Sequence, residues 1–437
     1  MKWSTTWFVL LLCISITQAQ NHINREDIEK DFPYLENLYL DIHQHPELSF
    51  HEDRTASKLA NELRKAGFEV TEHVGGTGIV GILKNGPGPV ILVRTDLDAL
   101  PIVEQTGADY ASKVTVKNEQ GNDVGVMHAC GHDVHMTVWT GTARAMARNK
   151  DKWSGTLMFI GQPAEERGGG ARNMLKDGLY QRFMVPDYAL ALHVNANLPA
   201  GKISYIPEYA MANVESMDID VFGRGGHGAY PHTTIDPVVL AAKIILNIQT
   251  IVSREISPLE PAVITVGSIH GGTKHNIISD RVHLQLTLRS YTEATRQGIV
   301  QKIKRICKGE AIAAGLPENL WPKVTLADEF TPALYNNPDL ISKVVASIRS
   351  EIGEKNVEQE KPVMGGEDFA RYGKTDDHVP IFMFGLGAVP VEMYNEYKKE
   401  GKTLPSLHSS KFLPDRRPTI LTGIEAMSAA LVDLLKK

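Results

Sequence analysis

Val282-His283-Leu284-Gln285-Leu286-Thr287-Leu288 alternates apolar and polar residues without a break. Successive side chains on a strand point to opposite faces, so this stretch predicts a strand with one buried and one solvated face. Upstream, Met217, Ile219 and Val221 alternate with acidic residues in the same way, and Ala262–Ile269 forms another β-like run. Helical segments lie between them, from about Pro237 to Arg254 and from about Glu293 to Ala314, and Lys323–Ala327 supplies a last strand. The order is βαββαβ, the ferredoxin-like split motif.

The flanking sequence follows another pattern. Ser49-Phe50-His51-Glu52 has capping-box spacing and predicts a helix running to Ala66, stopped by Gly67. Short apolar runs follow at Ile79–Leu83, Val90–Val93, Leu157–Ile160 and Tyr188–Leu192, with a helix from about Val134 to Ala147. After the βαββαβ unit, Asn337-Pro338 opens a helix, and the strand Ile381–Phe384 and a helix near Thr419–Leu435 return to the first architecture. Strands alternating with helices predict an α/β fold with a mixed, largely parallel sheet. The expected organisation is a signal at 1–19, a catalytic domain in two parts at 20–210 and 330–437, and an inserted ferredoxin-like domain at 211–329.

Composition narrows the functional classes. The chain has 437 residues, 46 basic against 52 acidic, for a net charge of −6, which offers no electrostatic footprint for nucleic acid. Three cysteines are too few for a disulfide framework. Lys2 precedes an apolar run, Trp7 to Ile14, that ends in Thr17-Gln18-Ala19-Gln20. That pattern predicts a secretory signal cleaved after Ala19. The run is short for a membrane span, and no later stretch is expected to cross a bilayer. The mature chain is therefore expected in the periplasm or secreted, keeping Cys130 and Cys307.

Gly76-Thr77-Gly78-Ile79-Val80-Gly81 satisfies the dinucleotide fingerprint, but that motif needs a helix after it. Asn85-Gly86-Pro87-Gly88-Pro89 forbids one, so a glycine-rich hairpin is expected. Neither a phosphate-binding loop nor a GxSxG serine elbow occurs.

His128-Ala129-Cys130-Gly131-His132-Asp133-Val134-His135 places three histidines, a cysteine and an aspartate in eight residues at a loop-to-helix junction. Each alone is ordinary. Together they form a ligand-rich patch, and thiolate with imidazole suits zinc and similar divalent ions. Glu165-Glu166 follows the strand Leu157–Ile160, His193 ends the strand Tyr188–Leu192, and His408 lies in Ser406-Leu407-His408. Open α/β sheets place their sites at the carboxyl ends of strands. Adjacent carboxylates pointing apart would let one bind metal while the other moves a proton, as metal-assisted hydrolysis requires.

These residues resemble the aminoacylase/hippurate hydrolase family of dimetal amidohydrolases and exopeptidases, in the branch of N-acyl-amino-acid and auxin-conjugate hydrolases. The motifs are Arg94–Pro101, His128–His135, Gln162–Glu166, Gly225-Gly226-His227 and Gly365-Gly366-Glu367-Asp368-Phe369. The resemblance implies two divalent ions, zinc or manganese with cobalt and nickel as alternatives. Their implied ligands are Cys130, His132, Glu166, His193 and His408, with Cys130 where other branches have a bridging carboxylate. It implies Glu165 as general base and later acid, and an N-acyl amino acid as substrate. Asp98 matches an aspartate that orients a ligand histidine, although the family's preceding histidine is Asp96 here. The βαββαβ insert is implied to be a lid that forms a homodimer, with His227 reaching the partner's site and Asn276 and Arg289 holding the substrate carboxylate. Rival readings are an exopeptidase on the same metals, an exported solute-binding protein without turnover, and a structural zinc protein. Five ligands beside a free carboxylate favour an open catalytic site over the last.

Overall fold

The computed structural model describes residues 23–118, 120–328 and 330–436. The expected signal and Cys13 lie outside these residues. An eight-stranded sheet is ordered Glu69–Thr71, Ile79–Asn85, Gly155–Gln162, Val90–Asp96, Tyr188–Pro199, Ile381–Val389, Ile203–Tyr205 and Val357–Gln359. Its four central strands, Gly155–Gln162 through Ile381–Val389, run parallel, while the Glu69–Asn85 side is antiparallel. This is the mixed, largely parallel α/β sheet read from the sequence.

The central strands are buried on both faces, which is why they appear as continuous apolar runs. Each such Val, Leu or Ile contributes about 1.5–3 kcal/mol by leaving water. Helices Arg25–Gln44, His132–Arg148 and Arg416–Leu434 cover one face through Leu35, Val138, Trp139 and Ile424, all in one apolar cluster. The glycine fingerprint is a hairpin, as expected: Glu69–Thr71 pairs antiparallel with Ile79–Asn85.

Several boundaries differ from the sequence reading. The Ser49 capping box does not form: Ser49 Oγ donates to Asp98, and the helix Asp53–Lys65 starts after Glu52. Glu52 is instead a buried acceptor for Thr77 Oγ1 and the Ala164 amide. The strand Tyr188–Pro199 continues past Leu192, so His193 lies within it and not at its end. Its backbone pairing with Ile381–Val389 carries it through these polar positions.

Residues from Glu215 to Leu326 form a second sheet, ordered Ala262–Gly271, Arg281–Ser290, Glu215–Phe222 and Lys323–Leu326, antiparallel throughout. Met217, Ile219, Val221, Leu284, Leu286 and Leu288 point to one face and meet Leu240, Ile244 and Ile303 of the two helices. The expected single helix from Pro237 is α-helical to Thr250 and then one π turn, Ile251–Glu255. These 19 residues are also long and apolar enough to cross a membrane, which corrects the expectation that no later stretch would be. The apolarity has a local cause, because Leu240, Ile244 and Ile248 are buried against the sheet.

Candidate metal centre

The carboxyl ends of the parallel strands converge on one cleft. Val90–Asp96 leads to Asp96 and Asp98, Gly155–Gln162 to Glu165 and Glu166, and Tyr188–Pro199 carries His193. Cys130 and His132 flank Gly131, which has φ of 76° and begins the helix His132–Arg148. A Cβ on Gly131 would lie 2.5 Å from Val194 Cγ2, so both backbone and space require glycine here.

Cys130 Sγ lies 3.5 Å from His193 Nε2 and 3.2 Å from His408 Nε2. Glu166 Oε1 lies 3.4 Å from His408 Nε2 and 3.9 Å from His132 Nε2. The five residues expected as ligands therefore come together, in two overlapping groups that share Cys130: one with His132 and His193, the other with Glu166 and His408. Their free atoms face the gap between them. His132 Nδ1 donates to the Asp98 carbonyl at 2.8 Å, and His193 Nδ1 donates to the Val194 carbonyl at 2.8 Å. Each bond fixes the tautomer and leaves Nε2 with a lone pair, the arrangement a metal ligand needs. His132 Nε2 and Glu166 Oε1 are buried with no hydrogen-bond partner, so the donor set fits a cation. Without one, burial and the Glu166 charge push the Cys130 thiol well above its usual range. His132 is raised as well: burial opposes its charge, but Asp96 and Asp98 outweigh it.

The other two histidines of the motif stand outside the groups that share Cys130. His135 Nδ1 bonds Asp96 at 2.8 Å, and its Nε2 accepts the Val194 amide at 2.8 Å. Burial depresses it to about 4, so it is a neutral strut with no free nitrogen. His128 is buried and in none of the ligand groups.

Glu165 and Glu166 sit on a turn that carboxylates hold from behind. Asp98 accepts both backbone amides at 3.1 Å, and Glu52 accepts the Ala164 amide at 2.8 Å. Asp98 thus contacts His132 chiefly through its carbonyl, while its carboxylate positions Glu165 and Glu166. Burial, then the charges of Glu367, Glu166 and Asp368, push the Glu165 carboxyl well above the ordinary range. A carboxyl raised this way is suited to accept a proton near neutrality.

Sequence reasoning missed the group beneath. Arg94 is completely buried and donates to Asp96 at 2.6 Å, Glu367 at 2.9 Å and Asp368 at 3.3 Å. It links the aspartate touching His135 to the carboxylates grouped with Glu165. The available signal was a charged pair, Arg94 and Asp96, at the end of a strand too apolar to be exposed there.

The three residues expected from the inserted unit divide. Arg289 lines the same cleft, a cavity of about 960 Å³, with Cys130, Glu165 and His408. His227 and Asn276 do not reach it in the single chain. They lie together on an exposed surface with Lys274 and Asp280, where Gly228 donates to the Asn276 carbonyl.

Residues 92–404 match the model of peptidase family M20/M25/M40. The chain belongs to this family. It is 37% identical over 348 residues to the hippurate hydrolase of Campylobacter jejuni, covering 78% of this chain and 85% of that protein. It is 36% identical over 395 residues to thermostable carboxypeptidase 2 of Saccharolobus solfataricus, covering 90% and 93%. The solved structure of a dinuclear metal binding peptidase of the M20 family from Bacillus subtilis superposes with a TM-score of 0.74 at 27% identity, over 93% of this chain and 99% of that one. The M20 chain described here is accordingly a hydrolase of amide bonds with clustered metal-ligating residues.

Proposed function

We propose that this protein is an exported amidohydrolase that cleaves N-acyl amino acids, hippurate-like in their chemistry, with two divalent ions. The observation that carries the reading is the meeting of Cys130, His132, Glu166, His193 and His408, with the Glu165 carboxylate within reach of His132 and Glu166. Cys130, His132 and His193 would hold one ion, and Cys130, Glu166 and His408 the other, with zinc or manganese suiting the mixed thiolate, imidazole and carboxylate set. Bound ions would supply the Lewis acidity that polarises an amide carbonyl and acidifies water. Glu165 takes the proton of the attacking water and returns it to the departing amine. Arg289, half-buried and without a carboxylate partner among the described residues, binds the substrate carboxylate.

His227 and Asn276 act on the site of a second copy in this reading, His227 as a donor to the developing oxyanion. The lid helix supports that arrangement, since Val239 and Leu246 are 53% and 71% exposed on its outer surface. A carboxypeptidase activity at the same centre is the second reading, favoured by the Saccharolobus relative. Hydrolysis of hippurate compared with plain dipeptides separates the two. Glu165→Gln should lower kcat on hippurate by about 10³-fold or more with metal content intact. Retention of near-normal turnover by that variant, or its loss of metal, would remove Glu165 from the role.

A further inference from the structure

Beyond the metal centre the cleft wall mixes apolar Ile206, Met211, Leu334 and Met383 with polar Asn195 and Ser204. One charged group on this wall has no counterpart in the mechanism. Glu360 lines the cavity, and both its carboxylate oxygens accept from Asn195 Nδ2, at 3.1 and 3.0 Å. No basic side chain pairs with it among the described residues. Arg289 is the converse, a half-buried cation whose charge burial disfavours and no carboxylate offsets. A cleft with one unmatched cation and one unmatched anion is complementary to a ligand bearing both opposite charges.

The two charges are reached from different residues of the cleft. Arg289 Nη1 is 3.4 Å from where a Cβ on Gly366 would be, next to Glu367 in the Glu165 group. Since Glu165 serves the departing amine, Arg289 lies on the amino-acid half of the substrate. Glu360 is reached from His193. Asn195 follows His193 by two residues on one strand, both line the cleft, and Asn195 carries Glu360. Two strand residues span about 7 Å, so the Glu360 carboxylate lies roughly a short alkyl chain beyond His193.

We propose that Glu360 is a specificity-determining residue that favours substrates whose acyl group ends in a cation, an ammonium or guanidinium, so that the substrate spans Arg289 and Glu360 with its scissile amide between them. This rests on the N-acyl amino acid reading above. The test compares kcat/KM of the metal-loaded full chain for N-(6-aminohexanoyl)-phenylalanine, N-hexanoyl-phenylalanine and N-adipoyl-phenylalanine, with hippurate alongside. The aminohexanoyl substrate should exceed the hexanoyl one by about five- to tenfold at low salt, and the gap should narrow as salt screens it. Glu360→Gln, which keeps an acceptor for Asn195, should bring that ratio close to one. Glu360→Lys should move the preference to the adipoyl substrate. Equal rates for the amino and neutral substrates in the wild type, or a ratio unchanged in Glu360→Gln, would overturn the inference and leave amide hydrolysis standing. If hippurate and all three conjugates are inert, the underlying reading fails and the inference with it.

Discussion

Arg94 and Arg281 each bond an aspartate, one on each sheet, and their surroundings make the two bonds different in kind. Arg94 has no solvent-exposed side chain surface, and neither do its partners Asp96 and Asp368. Arg281 is 55% exposed and shares Asp220 with His283 on the outer face of the lid sheet. In water an ion pair competes with hydration and contributes little. In the interior, removing one member strands the others without solvent. The large sheet is therefore sensitive to the loss of a buried charge as well as of its apolar faces, while the second sheet depends on its apolar face alone.

The sharpest way to break this comparison is Arg94→Met. It leaves three buried carboxylates uncompensated, and we expect a loss of about 3–5 kcal/mol in denaturant unfolding. Arg94→Lys should recover only part of that, because an ammonium cannot reproduce the fork that reaches Asp96 and Glu367 together. A loss below about 1 kcal/mol for Arg94→Met would mean the cluster is hydrated.

His43 tests the same principle by titration. It is buried, 2.6 Å from Asp133 and 3.2 Å from Glu104. Burial opposes its charge, but hydrogen bonds to these two carboxylates outweigh it and raise the imidazole to about 9. A raised pKa stabilises the fold fully below the unfolded value near 6.5, and that stability is lost as pH rises toward about 9. The wild-type Tm should therefore fall across this window by the equivalent of at most roughly 3 kcal/mol. His43→Gln should flatten the slope; an unchanged slope would assign it to other groups. Smallest of all, Arg281→Met should change stability by less than about 1 kcal/mol. A larger loss would show that the lid's outer face is not solvated as it stands.

The two sheets also differ in how far the sequence discloses them. The lid strands have one wet face, so the alternation of Met217, Ile219 and Val221 or of Leu284, Leu286 and Leu288 marks both their faces and their registers. The catalytic strands are largely dry on both faces and end in polar groups, buried at Arg94 to Asp96 and half-buried at His193 and Asn195. Periodicity therefore stops at Val93 and Leu192, while the backbone pairing continues to Asp96 and Pro199. Cys130, His132 and Glu166 stood out because cysteine, histidine and glutamate were too concentrated around 128–135 and 162–166 for folding alone to require them, whereas His193 and His408 were marked by the family resemblance. Their supports were not. Glu52 resembles the end of a capping box until the Ala164 amide is placed against it, a contact spanning 112 residues that no local pattern encodes.

The five clustered donors come from widely separated parts of the chain. Cys130 and His408 are 278 positions apart, and the His408 amide also bonds the Ala129 carbonyl. A cation held there acts as a removable cross-link, present in the native state and absent from the unfolded one. Its binding free energy is then part of the folding free energy. The melting temperature should accordingly become a function of free metal concentration, rising with added ion and falling on dialysis against a chelator. Storage buffer would then set the shelf life of the protein as much as its sequence does.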